Sequence, residues 1–253
     1  MDNGLRRMLS YTRRAIDDYD MIAEDEWIAV GVSGGKDSLS LLVTLANLAK
    51  FHPKHFHVAA IMVDMGWENT DFSGIQHLCD TLGVPLYIEV SDITHIVFDV
   101  RKEKNPCSLC AKLRRGTLNS AAVSHGFKKI ALGHHFDDVV ETFMLNLFYE
   151  GRLGAFQPVT YLSRTDVTLI RPMIYAPEKD IRYFARHAAL PILESQCPAN
   201  GKTERETMKQ FLHQLDKQNK GLKHRIFGAL QKSGIDGYKE THFNTYDDPD
   251  KNE

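Results

Sequence analysis

The stretch Trp27–Leu42, WIAVGVSGGKDSLSLL, decides the fold of this 253-residue chain. The apolar run Trp27–Val32 is followed by six small or polar residues, and an apolar helical pattern starts directly after them. Continuously apolar strands are expected where a parallel sheet is covered on both faces. Adjacent glycines let the backbone turn tightly and approach an anion, which the N–H groups at a helix N-terminus attract. The stretch therefore predicts a strand, a phosphate-binding loop and a helix.

The same alternation of apolar runs and amphipathic stretches continues along the chain. It predicts an open, mostly parallel five-stranded sheet with helices on both faces, an N-terminal helix and a C-terminal helical extension. Predicted strands are Trp27–Val32, His57–Val63, Leu86–Val90, Lys129–Leu132 and Thr168–Met173. Predicted helices lie near residues 4–20, 36–50, 73–82, 109–125, 137–149 and 178–188, with one or two more near 203–230.

Composition is that of an ordinary globular protein, with 43% hydrophobic and 25% charged residues. No apolar stretch reaches the ~18–20 residues that cross a bilayer, and residues 1–14 lack the apolar region of a secretory signal. We therefore expect a soluble cytoplasmic protein without membrane contact. The expected organisation is a catalytic domain at 1–198, a basic helical extension at 199–232 and an acidic, disordered tail at 233–253.

Basic side chains are concentrated in two segments although the formal net charge is only −2. Residues 101–115 hold six Lys or Arg against one acid, and residues 199–232 hold eight against three. Each run is either a solvated helix face or a surface for nucleic-acid phosphates.

The four cysteines, Cys79, Cys107, Cys110 and Cys197, are too few and too unevenly spaced for a secreted disulfide framework. In a reducing compartment the Cys107-Ser-Leu-Cys110 pair indicates metal, cluster or redox chemistry. Cys79 falls in a predicted amphipathic helix, where we expect a packed thiol.

Two common nucleotide-binding loops are excluded by spacing. A Walker A loop ending in Gly35-Lys36 needs glycine at Val30, and the dinucleotide fingerprint GxGxxG needs glycine at Ser33. The hexapeptide SGGKDS instead resembles the signature of the PP-loop ATP pyrophosphatases, whose fold is adenine nucleotide alpha-hydrolase-like. That resemblance implies an ATP site at Ser33, Gly34, Gly35, Lys36, Asp37 and Ser38.

Other polar residues follow strands two and four and should meet this loop, because ligands bind at the carboxyl ends of parallel strands. Asp64, Gly133 and His134 are predicted to contact ATP, and His135 to line the loop. The chemistry of a triphosphate implies Mg²⁺, for which Asp37, Asp137 and Asp138 are candidate ligands.

Four longer segments resemble the tRNA 2-thiocytidine synthetase family within this superfamily. They are residues 15–42, NPCSLCAKLRRGTL at 105–118, GHHFDDVVETFMLNLFYEGRLGAFQPV at 133–159, and LIRPMIYAPEKDIRYFARHAALPILESQCP at 169–198. The resemblance covers about residues 4–215. It implies that ATP adenylates the carbonyl oxygen of a tRNA pyrimidine, and that sulfur then displaces AMP to leave a thiocarbonyl.

The family's three cluster-binding cysteines correspond to Cys107, Cys110 and Cys197, which implies a [4Fe–4S] cluster with one open iron. Residue types alone would equally allow zinc with three cysteines. Asp137 is the first choice for a catalytic carboxylate, and Arg114, one helical turn after Cys110, is expected to face developing charge. Arg171 is expected to be structural or to contact tRNA.

The expected partners are tRNA, a sulfur donor (a cysteine desulfurase or free sulfide) and a second copy in a possible homodimer. Two other functions stay open at this stage. A PP-loop ligase or amidotransferase would use an amine instead of sulfur, and an ATP-binding sensor would use the cysteine pair as a structural metal clip.

Overall fold

The computed structural model of the chain, which describes residues 3–102, 106–198 and 203–241, is built on a six-stranded sheet. The strands are β1 Glu26–Val32, β2 Phe56–Asp64, β3 Leu86–Val90, β4 Lys129–Ala131, β5 Val159–Leu162 and β6 Val167–Ile170. Their order is β3-β2-β1-β4-β6-β5, and each neighbouring pair is parallel except β5 with β6. The open, mostly parallel α/β fold is confirmed.

The sixth strand corrects the expected count of five. β5 pairs with β6 as an antiparallel edge hairpin, and its residues are half-buried or exposed, with Tyr161 at 61% exposure. A four-residue edge strand of mixed polarity lacks the continuous apolar run that predicts a central strand. The predicted strand Thr168–Met173 corresponds to β6, which starts and ends earlier.

Eight α-helices of the described residues surround the sheet. They are α1 Asn3–Asp18, α2 Lys36–Leu48, α3 Ser73–Leu82, α4 Pro106–Ser124, α5 Phe136–Tyr149, α6 Glu178–His187, α7 Glu204–Gln218 and α8 Leu222–Ser233. A π-helix, His95–Arg101, and a 3₁₀ turn, Ile235–Gly237, add to the predicted set. No helix among the described residues is long and apolar enough to span a bilayer.

The apolar core lies on both faces of the sheet, as continuous strands require. One face carries alternate residues of the central strands and packs under most of the helices: Ile28, Val30, Val32, Val58, Ala60 and Met62. The opposite face packs against α4 through Ala121 and Ala122, using Ala29, Ala59, Ile61, Ile130 and Leu169.

Strand order reverses between β1 and β4, which are neighbours in space but distant in sequence. The phosphate loop follows β1 and the segment Gly133–His135 follows β4, so both meet at this switch point. A Cβ on Gly133 would lie 3.0 Å from the Asp37 carbonyl carbon and the Ser38 nitrogen. Gly34 has φ +77°, in the left-handed region that favours glycine. Glycine at position 133 therefore lets the two segments approach closely, and glycine at position 34 allows the turn of the phosphate loop.

The C-terminal segment differs from the expected organisation. Residues 203–232 of the basic extension form α7 and α8, while residues 199–202 lie outside the described residues. The expected disordered tail from 233 onward is ordered at its start, since Tyr238 is 1% exposed and donates a hydrogen bond to the Phe156 carbonyl over 2.9 Å. Asp236 also accepts from the Ala155 N–H. Residues 242–253 lie outside the described residues.

We predict that Tyr238→Ala lowers the free energy of unfolding by about 3–5 kcal/mol, because it removes a buried aromatic ring from the core. Tyr238→Phe should cost about 1 kcal/mol, the usual worth of the hydrogen bond to Phe156. Urea denaturation measures both changes. Tyr149→Ala, at a 62% exposed site, is the matched control. Equal stability of the Tyr238→Ala and Tyr149→Ala proteins would contradict the packed arrangement.

Candidate functional site

Two adjoining cavities open at the carboxyl edge of the sheet. The loop cavity, about 530 Å³, lies between the ends of β1, β2 and β4 and is lined by residues that include Ser33, Ser38, Val63, Met65, Asn119, Leu132, Gly133, His134, Phe156 and Arg171. The cysteine cavity, about 450 Å³, is lined by residues that include Lys36, Phe98, Cys107, Cys110, His135, Glu141, Glu178, Cys197 and Arg205. Asp37, Arg114 and Asp138 line both, so the cavities share a wall.

The phosphate loop is held in shape by its own hydrogen bonds. The Ser33 N–H donates to Ser38 Oγ over 3.1 Å, and the Ser38 hydroxyl donates to the Gly35 carbonyl over 3.0 Å. No side chain caps the N-terminus of α2, which starts at Lys36. The first N–H groups of this helix are therefore available to an anion in the manner of phosphate sites.

Lys36 is tied to two carboxylates. Its Nζ lies 3.0 Å from Asp37 Oδ2 and 3.2 Å from Glu178 Oε1. Burial favours the neutral amine, but Asp37 and Glu178 outweigh it and raise the pKa of Lys36. Glu178 also accepts from Arg182 and Lys209. Burial opposes ionisation of Glu178, but these donors and Lys36 hold its pKa far below the ordinary value.

His135 is fixed at the N-terminus of α5 by a capping box. Its Nδ1 accepts from the Asp138 N–H over 3.3 Å, and Asp138 Oδ2 accepts from the His135 N–H over 3.0 Å. In the neutral ring this assigns the proton to Nε2, which lies 3.7 Å from Asp37 Oδ1. That Asp37 oxygen is buried without a hydrogen-bond partner. It is therefore a free acceptor in the wall between the cavities.

Asp137, the expected catalytic carboxylate, lies behind the site. It is 8% exposed and does not belong to the cavity walls formed by the described residues. Its Oδ1 accepts from Lys223 over 2.6 Å and its Oδ2 from the Glu178 N–H over 2.8 Å. Burial alone would raise the pKa of Asp137, but Lys223 and the Glu178 N–H lower it. Both Asp137 oxygens are therefore engaged in hydrogen bonds that join α5 to α8 and to the start of α6.

The other residues expected around ATP divide between the cavity wall and the turns behind it. Asp64 accepts a hydrogen bond from the Gly66 N–H in a turn. Its neighbours Val63 and Met65 line the loop cavity, and Asp64 itself does not. Gly133 and His134 do line this cavity. Burial lowers the pKa of His134 to about 4, and its Nδ1 is buried without a partner. The ring is therefore neutral near pH 7.

Arg171 lies in the wall of the loop cavity, in a structural setting. Its Nη1 donates to the Gln157 carbonyl and to Thr160 Oγ1, and its guanidinium lies 5.1 Å from the centre of the Phe156 ring. Burial lowers its pKa to about 10, and its Nε has no partner. Arg171 therefore holds the β5–β6 hairpin against the cavity and keeps one free donor.

Three of the four cysteines meet in the cysteine cavity. Cys107 and Cys110 lie in the first turns of α4, and Cys197 lies 87 residues later, in the segment after α6. Burial raises the pKa of the Cys110 thiol, Arg114 opposes this shift, and Cys197 and Cys107 reinforce it. Cys79 instead lies in the core, where burial raises its pKa to about 11.

The candidate donors for an iron–sulfur cluster are the three thiols of the cysteine cavity. Among the described residues, no three His, Cys, Asp or Glu side chains converge closely enough to hold one metal ion. A [4Fe–4S] cluster binds each thiolate through a different iron, so its ligands surround a space instead of meeting at a point. Cys107, Cys110 and Cys197 line one cavity and are the residues that would hold such a cluster.

Glu141 is a second acidic group in this cavity. It is 3% exposed, its Oε2 lies 3.5 Å from Arg205 Nη1, and its Oε1 is buried without a partner. Burial, followed by the charge of Asp138, raises its pKa to about 7. Glu141 therefore exchanges a proton near neutral pH, as groups at functional sites often do.

Sequence reasoning missed Glu141, Glu178, Arg205, Lys209 and Lys223. Glu141 had a local signal, since it is an acid one turn after Asp138 in an otherwise apolar helix. The three basic residues come from polar helices in which no local pattern distinguishes an inward side chain from a solvated one.

A model of the PP-loop domain family matches residues 8–215, more than three quarters of the chain. A tRNA-cytidine(32) 2-sulfurtransferase from Geotalea uraniireducens is 38% identical over 90% of this chain and 92% of its own length. The enzyme of the same name from Teredinibacter turnerae is 40% identical over 90% of this chain and 76% of its own length.

Among solved structures, the U34-tRNA thiolase NcsA from Methanococcus maripaludis, determined with its [4Fe-4S] cluster, superposes with a TM-score of 0.72. It is 25% identical and the match covers 89% of this chain and 78% of the thiolase.

We predict that Lys223→Met lowers the free energy of unfolding at pH 7 by about 3–5 kcal/mol, because it leaves the buried Asp137 carboxylate without its cation. The lowered pKa of Asp137 contributes stability above its unfolded value of about 3.9, and this stability is lost as pH falls through the lower folded value. The loss of unfolding free energy in Lys223→Met should therefore become smaller below about pH 4. Urea titrations at several pH values measure this change. Lys223→Met with Asp137→Asn should recover much of the loss, and a fully additive double variant would contradict the pairing.

Proposed function

Because the chain belongs to the PP-loop family and, within it, to the tRNA-cytidine(32) 2-sulfurtransferases, we propose that it uses ATP to replace the 2-oxygen of a tRNA cytidine with sulfur. One observation carries the proposal: Cys107, Cys110 and Cys197 line the same cavity as Lys36 of the phosphate loop. Nucleotide activation and sulfur transfer need neighbouring sites, and these two cavities share a wall.

The first half-reaction belongs to the phosphate loop, whose Ser33 and Ser38 line the loop cavity and whose Lys36 lines the cysteine cavity. The cytidine O2 attacks the α-phosphorus of ATP, a new O–P bond forms, and the bond to the β-phosphate breaks to release pyrophosphate. The uncapped N-terminus of α2 and the Lys36 ammonium bind the phosphates. Lys36 then exchanges Glu178 for a phosphate oxygen, while Glu178 keeps Arg182 and Lys209.

For Mg²⁺ we propose Asp37 and Asp138 as the ligands. Both line the two cavities, and Asp37 Oδ1 is a buried acceptor without a partner. Carboxylate oxygens together with phosphate oxygens are the ligands that Mg²⁺ prefers. Asp137 is left out of this set because Lys223 and Glu178 occupy its oxygens.

The second half-reaction belongs to the cysteine cavity. Cys107, Cys110 and Cys197 are the residues that would hold a [4Fe–4S] cluster of the kind the NcsA thiolase carries. When bound, such a cluster would have one iron without a cysteine ligand, where sulfide from the sulfur donor would be held for attack on the activated carbon with AMP as the leaving group. Arg114 lies in the shared wall, where its guanidinium faces the negative charge of the departing AMP.

tRNA binding is assigned to exposed cations around the cavity mouth, since phosphate contacts supply most nucleic-acid affinity. Arg101 and Lys102 end the π-helix, Arg115 lies on α4, and Arg205 lies at the start of α7. A sulfur donor is also required, either a cysteine desulfurase or free sulfide. For a homodimer we propose the exposed apolar side chains of the α5 C-terminus, Leu147, Phe148 and Tyr149.

The proposal predicts that the two half-reactions separate by mutation. Replacing Cys107, Cys110 or Cys197 by Ser should abolish iron binding and thiolation together, because two thiolates hold such a cluster poorly. Pyrophosphate release in the presence of tRNA should persist in Cys197→Ser, since ATP activation uses different groups. Lys36→Met should block pyrophosphate release and thiolation but retain iron. Iron and sulfide analysis, pyrophosphate assay and detection of thiolated tRNA measure these outcomes.

Cys79→Ser is the matched control and should keep both activities, because Cys79 is a core thiol on α3. Thiolation by Cys197→Ser would overturn the three-cysteine assignment. Pyrophosphate release with transfer of an amine instead of sulfur, in protein without iron, would indicate a ligase or amidotransferase. ATP binding without pyrophosphate release would indicate a sensor.

A further inference from the structure

Phe98 places an aromatic ring in the wall of the cysteine cavity. It lies on the π-helix His95–Arg101, which packs against α4, the helix that carries Cys107 and Cys110. We propose that Phe98 is the stacking platform for the pyrimidine base that receives sulfur. This inference rests on the proposed function and assigns it a base-binding residue.

Among the described residues, two aromatic side chains line this cavity, Phe98 and His135. His135 is 4% exposed, and its position is fixed by the capping box with Asp138. Phe98 is half-buried and has no polar atom that could serve another contact. Its ring is available to a ligand face, and the imidazole of His135 is not.

Trp67 contacts the Phe98 ring and restrains it. The two ring centres are 5.7 Å apart with 40° between the planes, an ordinary geometry for a stabilising aromatic pair. Trp67 comes from the loop after β2, so the pair joins this loop to the π-helix. A ring held in this way binds a base with little loss of side-chain freedom.

A base must leave its stack before its 2-oxygen can be attacked, and this costs a few kcal/mol. Proteins that bind unstacked bases recover this cost by stacking them on aromatic rings beside a positively charged groove. Phe98 has cations near it in sequence and in the cavity: Arg101 ends the π-helix, Lys102 follows it, both are exposed, and Arg114 lines the same cavity. These cations suit the phosphates that flank the extruded nucleotide.

The assignment predicts which substitutions at position 98 are tolerated. Phe98→Ala should lower kcat/KM for tRNA thiolation by roughly 5- to 150-fold, the usual effect of removing one stacking ring. Phe98→Tyr should retain activity within about twofold, since it keeps the π face. Phe98→Leu keeps apolar volume but no π face, and should resemble Phe98→Ala. If Phe98 served only in packing, Phe98→Leu would instead restore most of the kcat/KM that Phe98→Ala loses.

Two control variants separate this effect from general damage. Val100→Ala changes a 60% exposed residue of the same π-helix, and Phe51→Ala removes a 50% exposed ring in the turn after α2, outside both cavity walls. Both should thiolate tRNA like the wild type. Iron content and ATP affinity should be unchanged in all variants at position 98, because the proposal assigns the cluster to the cysteines and ATP to the phosphate loop, and assigns only the base to Phe98.

Photocrosslinking tests the contact independently of turnover. A tRNA with 5-iodocytidine at position 32 should crosslink to residue 98 in the wild type and in Phe98→Tyr, as mapped by peptide mass spectrometry. A crosslink elsewhere, or wild-type kcat/KM in Phe98→Ala, overturns the inference and leaves the proposed function standing. A protein that crosslinks at Phe98 but thiolates no tRNA refutes the proposed function and retains the base-binding assignment.

Discussion

The buried carboxylate of Asp137 joins the three helices behind the two cavities. It lies near the start of α5, accepts the Glu178 N–H at the start of α6 and pairs with Lys223 of α8. Glu178 in turn contacts Lys36 of the phosphate loop. The position of this lysine therefore depends on a buried ion pair that lies outside the two cavity walls. Because an unpaired buried carboxylate costs several kcal/mol, α6 and α8 cannot move apart without losing the geometry of the loop.

Charges at the site are balanced before any nucleotide binds. Glu178 accepts from Lys209 and Arg182 and contacts Lys36, while Arg205 lies near both Asp138 and Glu141. A triphosphate brings several negative charges, which draw Lys36 away from Glu178. Further negative charge also favours the protonated form of an acid, and Glu141 already titrates near pH 7.

Local patterns predict most of the fold and only part of the site. Strands β1, β2, β3, β4 and β6, the phosphate loop and the helices follow from apolar runs, glycines and amphipathic spacing, all of which act within a few residues. The edge strand β5 and the π-helix lack such signals. Asp137 and Asp138 are adjacent in sequence, yet one faces a buried lysine and the other a cavity, because helical rotation separates neighbours by about 100°. The placement of Lys223 and Tyr238 depends on contacts across more than 80 residues, which no local pattern carries.

The shared wall of the two cavities explains how one base can take part in both half-reactions. The oxygen that attacks the α-phosphorus and the carbon that accepts sulfur are bonded to each other, so the two reaction centres must lie within a few ångströms. Asp37, Arg114 and Asp138 form the boundary at which such a base would lie. Phe98 and the cysteines are on one side of this boundary, and Ser33 and Ser38 are on the other. In the proposed arrangement, a base stacked on Phe98 would present its 2-oxygen to the loop cavity and its C2 to the cysteine cavity, so that both steps would occur without the base leaving the site.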